Sequence, residues 1–566
     1  MSVGKNIKGK FMALLIKLKV MSECRNLNKA LKNPKKYVAR GLRDILEYGK
    51  NTEYGERYHF KQILEAPNDE ELYKRYKENV PIINYTDITS YVDKMVKGDT
   101  DILFEGKPIM FFRTSGTSSK PKLLPASPKY LKNINIITSM MLKNFFKYDK
   151  NLLAGKIFTI TGIPKEEELP NGYIIGSVSG YDSSNSPEFI QKIFSAPFII
   201  LEVKDYRARY YLLMRFSIAE DVRLIITANP TTVNELMKDV TINFDKYCDD
   251  IEKGTINKDL NIEPEIRAKL EKIAKPNPKR AQELRAMKKD GKPPLPKDYW
   301  PNFSVLTTWK CGNTKFFINE FKKIFPEQMH HIEFGYYASE CRFGLVFNEN
   351  DATSIYPHRV YMEFIHQDDL DKPNPKTYHI HELVKGNLYC PIITTISGLY
   401  RYNMNDLIVA CDNYKNTPTI MMVQKINGIV SITGEKLSET QFIKAIEDMA
   451  KKHNQGINFF LGFANVLEKQ YEVYIEFKDQ KINAKQAQEF IDSVDEYLKT
   501  INVEYATKRD SLRLNKLVAH RLPKDAFVLY KNLLLKSGKY KDNQFKLMIL
   551  NQNEFLREQA SMIEIK

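Results

Sequence analysis

Residues Phe112–Pro125 read FRTSGTSSKPKLLP, with one glycine, five hydroxyl side chains and two lysines held between two short apolar segments. Small residues let a backbone approach a ligand closely, hydroxyls and lysines meet anions, and apolar flanks anchor both ends in a core. A polyphosphate cradle needs all three. A solvated surface loop uses the same residue types, so the stretch acquires a meaning only from the chain around it.

At 566 residues the chain exceeds one ordinary core and is expected to form about two to four domains. Its hydrophobic content of 43%, with 11% aromatics, suits packed interiors and a globular protein. Six cysteines, Cys24, Cys248, Cys311, Cys341, Cys390 and Cys411, occur singly with no CxxC pair. That spacing indicates neither a zinc ribbon nor a disulfide framework, and it fits a reducing, cytoplasmic location. The formal charge of +16 is unevenly placed: residues 1–50 carry 13 Lys or Arg against 3 acids. The apolar run FMALLIKLKVM, Phe11–Met21, contains two lysines and is too short for the ~20 apolar residues of a spanning helix. It also lacks a cleavage site of the secretory type. A basic amphipathic helix packed on its own protein is expected there, with weak membrane-surface contact as the other reading. No motif that interleaves basic and aromatic residues for RNA is present, so nucleic acid is not expected as a partner.

Helical patterns run from Leu42 to Val96, and SPKYLKNINIITSMMLKNFFKY after the loop carries apolar residues at helical spacing behind a Pro-Ala-Ser start signal. The β-rich runs KIFTITG, FIILEV, VRLIITA and FSVLTTW then alternate with helical stretches, the pattern of an α/β fold with parallel crossovers. Between Lys253 and Pro301 the composition turns Lys- and Pro-rich, which predicts two short helices in a surface insertion. Residues 1–425 are assigned to a large domain and 426–566 to a small α+β domain. In the latter, a Ser438 to Gln441 capping box starts a helix, FFLGFANVLEKQYEVYIEFKD forms two antiparallel strands, and NAKQAQEFIDSVDEYLKTIN forms a second helix.

Two further stretches carry chemistry. In HIEFGYYASECRFGL, His331–Leu345, an aromatic pair and small residues precede Glu340, a turn where a ring can stack on a base and a carboxylate can hold a metal. A strand-to-loop turn with a satisfied glutamate has the same form. In GNLYCPIITTISGLYRYNMNDLIVA, Gly386–Ala410, Asp406 stands between two apolar runs, where it suits ribose hydroxyls or an ordinary turn.

Taken in this order and at these separations, the three stretches resemble the Gretchen Hagen (auxin-responsive) family of acyl-acid amido synthetases, a branch of the adenylate-forming superfamily. TSGTSSKPKLLP resembles the family's phosphate loop, YYASECRFGL its second motif, and GLYRYNMNDLI its third. VYMEFI, Val360–Ile365, and NQFK, Asn543–Lys546, resemble two accessory motifs. The resemblance runs from about Val80 into the C-terminal region. It implies an α/β fold whose large adenylate-forming domain has mixed sheets flanked by helices, followed by a small mobile α+β domain with a hinge near Lys425–Gly428.

Carried over by position, the resemblance places Ser115, Gly116, Thr117, Ser118 and Lys122 on the phosphates of ATP. Tyr336 lies against adenine, with Ala338 and Ser339 close to the nucleotide. Glu340 holds Mg2+, Asp406 binds the ribose with Tyr402 nearby, and Lys546 acts at the phosphate or the acyl group. Lys122, Glu340 and Lys546 are the expected catalytic residues. The sequence departs from the family at Ser119, at Asn403 and Asn405, where Arg and Gly are usual, and at Met548 and Ile549. The implied reaction activates a small carboxylic acid as acyl-AMP and transfers it to the amine of an amino acid, the enzyme working as a monomer. Acyl-CoA synthetase-like thioester formation and a catalytically degenerate nucleotide-binding relative are the alternatives. No lipase-type Gly-x-Ser-x-Gly is present. HQDDLDKP reads as a solvated turn, Cys341 as a structural thiol, and one of His330 and His331 as a buried, satisfied ring.

Overall fold

A computed structural model describes residues 3–113, 122–185, 188–228, 230–310, 321–347, 350–430, 432–433, 435, 437–510, 512, 514–540 and 547–565. The chain divides into two compact units, Met1–Met404 with Ile408–Met422, and Asn405–Leu407 with Val423–Lys566.

The first unit begins with helices. Val3–Lys19 buries Gly9, Ala13 and Ile16, a row at helical spacing that the buried Val20 just beyond it continues, so the basic segment does pack on its own protein. Gly9 is required there, because a Cβ would stand 2.6 Å from the carbonyl carbon and oxygen of Leu153. Strands Met110–Arg113 and Leu123–Ala126 pair antiparallel, Arg113 opposite Leu123, and thereby clamp both ends of residues 114–122. Ile174–Gly176 adds to this sheet in parallel and Glu167–Glu168 closes its edge, so TGIPKEEELPNGYIIGS contributes an edge hairpin. The helix Pro128–Phe145 starts as its sequence indicates: the Ser127 hydroxyl accepts the Tyr130 N–H at 3.1 Å, and proline occupies the first turn. Tyr130, Ile134, Ile137, Met140, Met141 and Phe145 form its buried face.

A second sheet is wholly parallel, in the order Lys156–Thr159, Val222–Ile226, Val305–Thr308, His330–Glu333. Helices such as Tyr206–Ser217 and Pro230–Lys253 supply the crossovers that parallel strands need, and the central strands Val222–Ile226 and Val305–Thr308 are almost wholly buried. FIILEV is not one of its strands. Phe198–Glu202 is a 3-10 helix that buries Ile200 and Leu201, and a short apolar run carries no periodicity to separate the two outcomes. The Lys/Pro-rich stretch contains the two expected helices, Pro264–Ile273 and Pro278–Ala286, and a single turn at Pro296–Tyr299. Most of its lysines face solvent, but Leu270, Ala281, Leu284, Tyr299 and Trp300 enter the core beside the parallel sheet. The Trp300 indole N–H donates to the Ser217 carbonyl at 3.1 Å, so the stretch is integrated into the domain more deeply than a surface insertion.

The largest sheet is mixed in sequence order: Thr377–His379, Tyr361–His366, Leu388–Thr394, Asp406–Tyr414, Thr417–Lys425, Thr353–Ile355 and Gly344–Val346, with Tyr402–Asn403 paired to Leu388–Thr394. Its inner residues join the helices between Pro34 and Lys97 in one core.

The second unit is a four-stranded sheet under helices. Ile457–Asn465 and Gln470–Phe477 pair antiparallel, flanked in parallel by Leu550–Asn551 and Val518–Arg521. The helix Glu439–Lys452 opens on the reciprocal Ser438/Gln441 capping box, each bond 3.2 Å, and Ala484–Ile501 opens on the Asn483/Gln486 equivalent. A buried Arg509–Asp495 pair, with the Tyr505 hydroxyl on the same carboxylate, ties Val503–Asp510 to Ala484–Ile501.

Candidate active site

The strands around the phosphate-loop candidate, the Glu340 turn and the GLYRYNMND segment meet at one small cavity of the first unit. Phe112, Leu124 and Pro125 come from the first stretch, Ser339 and Glu340 from the second, and Ser397 and Leu399 from the third; Tyr130 completes the wall. Hydrogen bonds lock the three together. Ser397 Oγ donates to the Pro125 carbonyl at 2.7 Å and accepts from the Ser127 N–H at 3.0 Å, and Ser127 Oγ donates to the Ile396 carbonyl at 2.9 Å. Tyr130 Oη donates to the Ser339 carbonyl at 3.0 Å. Gly398 makes the close approach: its φ is +87° and a Cβ would stand 2.5 Å from that of Leu103.

Glu340 is half-buried at this cavity, and among the described residues its carboxylate has no hydrogen bond or ion pair. A carboxylate left without a protein partner at a cavity wall is suited to a ligand or a cation. No cluster of three or more His, Cys, Asp or Glu side chains able to hold a metal occurs among the described residues. The donor set fits Mg2+, which keeps its waters and is commonly bound through one or two carboxylates and substrate phosphates.

Lys122, the first described residue after the loop, places Nζ 3.5 Å from Tyr402 Oη and 5.5 Å from the centre of the Tyr85 ring. The Tyr85 hydroxyl accepts the Leu123 N–H at 2.8 Å and donates to the Leu123 carbonyl at 3.0 Å, holding the start of the strand that follows the lysine. Tyr336 is buried and stacks on Phe343, centroids 4.1 Å apart and planes 11° apart. Ala338 donates its N–H to the Cys341 carbonyl at 2.9 Å, closing the turn that presents Ser339 and Glu340. Asp406 is buried at the head of Asp406–Tyr414, within the Asn405–Leu407 segment that belongs to the second unit. Ser115, Gly116, Thr117, Ser118 and Ser119 lie in 114–121, and Lys546 in 541–546, outside the described residues.

Two departures from the family pattern have a structural reading. Asn405 has φ +51°, the left-handed region that Gly occupies freely and that Asn tolerates better than other side chains. Asn403 lies in the short strand Tyr402–Asn403, and its Oδ1 accepts from Cys390 Sγ at 3.2 Å.

Several supporting residues escape a reading of the sequence. Glu363, inside VYMEFI, is fully buried and takes a two-pronged contact from Arg401: Nε to Oε2 at 2.8 Å and Nη2 to Oε1 at 3.1 Å. Arg401 also donates to the carbonyls of Val80 at 2.8 Å and Lys77 at 3.2 Å, so it joins the third motif to the N-terminal helices. Burial opposes the arginine's charge, yet Glu363 holds its pKa above the ordinary value. Under the second motif, the Glu333 carboxylate accepts the N–H groups of Lys310 at 2.6 Å and Gly335 at 2.9 Å. Burial pushes it up to about 7 against the pull of those amides. Of the histidine pair, His330 is exposed and His331 half-buried; His331 Nε2 bonds Thr308 Oγ1 at 2.8 Å while its Nδ1 has no hydrogen bond among the described residues, so the ring is only partly satisfied, and desolvation with the nearby Lys310 and Lys322 lowers its pKa to about 3. Burial raises the Cys341 thiol far above its ordinary value, which leaves it inert as a nucleophile.

The GH3 family N-terminal domain matches residues 23–329, the GH3 family central domain 353–425 and the GH3 family C-terminal domain 440–554. The chain is 22% identical over 472 residues to the 4-substituted benzoates-glutamate ligase GH3.12 of Arabidopsis thaliana, covering 79% of this chain and 80% of that protein. To the indole-3-acetic acid-amido synthetase GH3.17 of the same plant it is 24% identical over 449 residues, covering 73% and 72%. The solved structure of GH3.15 acyl acid amido synthetase matches with a TM-score of 0.81 at 20% identity, over 96% of each chain. A 2-hydroxyisobutyryl-CoA ligase in the postadenylation state matches with a TM-score of 0.50 at 10% identity, over 93% of this chain and 92% of that one. Those structural likenesses speak for the fold. The three domain matches, in sequence order from residue 23 to residue 554, make the chain a member of the GH3 family.

Proposed function

We propose that this GH3-family chain is an ATP-dependent acyl-acid amido synthetase, which joins a small carboxylic acid to the amine of an amino acid through an acyl-adenylate. The observation that carries this reading is the convergence of three distant stretches on one cavity whose wall holds the Glu340 carboxylate, which has no hydrogen bond or ion pair among the described residues. A carboxylate resists amines because attack would have to expel oxide. Attack of the acid's oxygen on the α-phosphorus of ATP, with pyrophosphate leaving, makes a mixed anhydride; the amine then attacks its acyl carbon and AMP leaves with the bonding pair.

The first step gathers negative charge on phosphate oxygens, so it calls for fixed positive charge and hydrogen-bond donors. Ser115, Gly116, Thr117 and Ser118 supply the donors, and Lys122 supplies the charge. Glu340 anchors Mg2+, which when bound spreads the phosphate charge. Tyr336, backed by Phe343, forms the nucleotide side with Ala338 and Ser339; Asp406 and Tyr402 take the ribose, and Lys546 adds a second cation for the phosphate or acyl group. One chain carries the full residue set, in keeping with a monomer, and the cysteines Cys24, Cys248, Cys341 and Cys411, free of disulfides among the described residues, suit a cytoplasmic enzyme.

The test supplies ATP with a panel of carboxylic acids and follows pyrophosphate exchange, then adds amino acids or coenzyme A and follows AMP release. At least one acid is expected to support exchange, and an amino acid to accelerate AMP release. Acceleration by coenzyme A alone would make the enzyme a thioester former, and absence of exchange in folded protein with every acid would make it a nucleotide-binding relative.

A further inference from the structure

The helix Val3–Lys19 has two apolar rows on opposite sides. The inner row, Gly9, Ala13 and Ile16 with Val20 just past the helix end, is buried within the first unit. The outer row repeats the same spacing, Ile7, Phe11, Leu14 and Leu18, and is 62%, 61%, 50% and 54% exposed, with Leu15 beside it at 39%. At 3.6 residues per turn, Lys10 and Lys17 fall along one edge of the outer row and Lys8 and Lys19 along the other. Lys19 is tethered to the fold through Asn135 at 2.6 Å and Ser139 at 3.1 Å, and Lys17 leans toward the Phe146 ring at 5.7 Å. No Asp or Glu occurs between Val3 and Lys19. No described helix is long and apolar enough to cross a membrane.

A helix needs one apolar row to pack on its own protein. The second row, continuous over three turns and pointing away from the core, stays at least half exposed. We propose that it docks the protein on an anionic lipid bilayer, with the helix lying in the plane of the headgroups. Ile7, Phe11, Leu14 and Leu18 enter the acyl boundary while the exposed Lys8 and Lys10, one on each edge, keep their ammonium groups at the headgroup phosphates and their stems along the apolar row. Charge selects this occupant. A second copy would set lysine-edged rows against each other with no acid in either helix to offset them, whereas an anionic leaflet complements both edges at once. The wider surroundings act in the same sense, since residues 1–50 carry 13 Lys or Arg and 3 acids. The proposal does not depend on the reaction assigned above.

Flotation of the full chain with phosphatidylcholine vesicles, and with vesicles containing about one-third phosphatidylserine, tests it. The native chain is expected to float with the anionic vesicles and to be released by salt. The double substitution Phe11→Gln/Leu18→Gln is expected to lower partitioning by about an order of magnitude, and Lys8→Glu/Lys10→Glu by a similar factor. Both sets of positions are exposed, so melting temperature and pyrophosphate exchange should stay at native values. The proposal is overturned if the native chain ignores anionic vesicles, or if the apolar double variant floats equally well. A lipid-free dimer that Phe11→Gln/Leu18→Gln abolishes would assign the row to a second copy and overturn it also.

Discussion

Glu363 and Glu340 belong to the same unit and to neighbouring motifs, but their surroundings are opposite. Glu363 has no exposed surface and takes bonds from Arg401 and from the Thr377 hydroxyl, 2.7 Å away, with Lys77 Nζ at 3.9 Å. Glu340 is half-buried at a cavity and makes no bond to any described residue. A buried charge is tolerated only when its partners are fixed, so the region around Glu363 must be rigid and complete. A carboxylate held at a cavity wall without a partner is completed by something that is not protein. The first region positions the third motif; the second is poised to bind.

Substitutions at the two sites should therefore separate stability from activity. Glu363→Ala leaves the Arg401 guanidinium buried without its counter-charge and is expected to cost about 3–5 kcal/mol, read from the urea midpoint. Joint replacement of Glu363 and Arg401 by methionine should cost less than either single change; an equal or greater cost would show that the pair contributes no coupling. Glu340→Gln is expected to leave the urea midpoint in place and to slow pyrophosphate exchange by about 10²–10³-fold, the usual scale for losing one electrostatic contact to a transition state. Unchanged exchange, or a collapsed midpoint, would erase the contrast between the two glutamates.

Glu23 sharpens the comparison from a third position, with a smaller effect. Burial works to raise its pKa, but hydrogen bonds from His358 and Arg359, at 2.8 Å and 2.6 Å, prevail and bring it from 4.5 to about 2. A depressed folded-state pKa means that the unfolded chain takes up the proton first. The stabilisation from Glu23 is thus fully present above about pH 4.5 and is lost as pH falls toward 2. Melting temperature against pH should show this loss, and Glu23→Gln should flatten the profile across that window; an unaltered slope would remove the helix Met21–Lys32 from the acid-sensitive set.

Much of the architecture is legible because its signals are local. Ser127, the Ser438/Gln441 box and the alternation of apolar runs with helical patterns each act within a few residues, and the corresponding helices and strands are present. FIILEV shows the limit: its residues suit burial in any backbone, and the 3-10 turn there is set by packing in the core rather than by pattern. Trp300 shows another. The Lys and Pro residues around it signal a surface, while its own indole is wholly buried and hydrogen-bonded.

The chain's chemistry is likewise divided by range. The amino-acid sequence alone determined which residue types could meet a phosphate, a base and a cation, because a Gly/Ser/Thr/Lys loop, an aromatic turn and a carboxylate carry those capacities wherever they are placed. That Asn405 occupies a positive φ where glycine is usual was decided by the structure, and the asparagine side chain tolerates that conformation better than most. Only the tertiary structure decided that Phe112, Glu340 and Ser397 share one cavity, that Glu363 is consumed by Arg401 while Glu340 stays open, and that Val3–Lys19 turns a second apolar row outward. Those outcomes depend on contacts between residues far apart in the chain, and burial, which sets the cost or the availability of a charge, exists only once such contacts form.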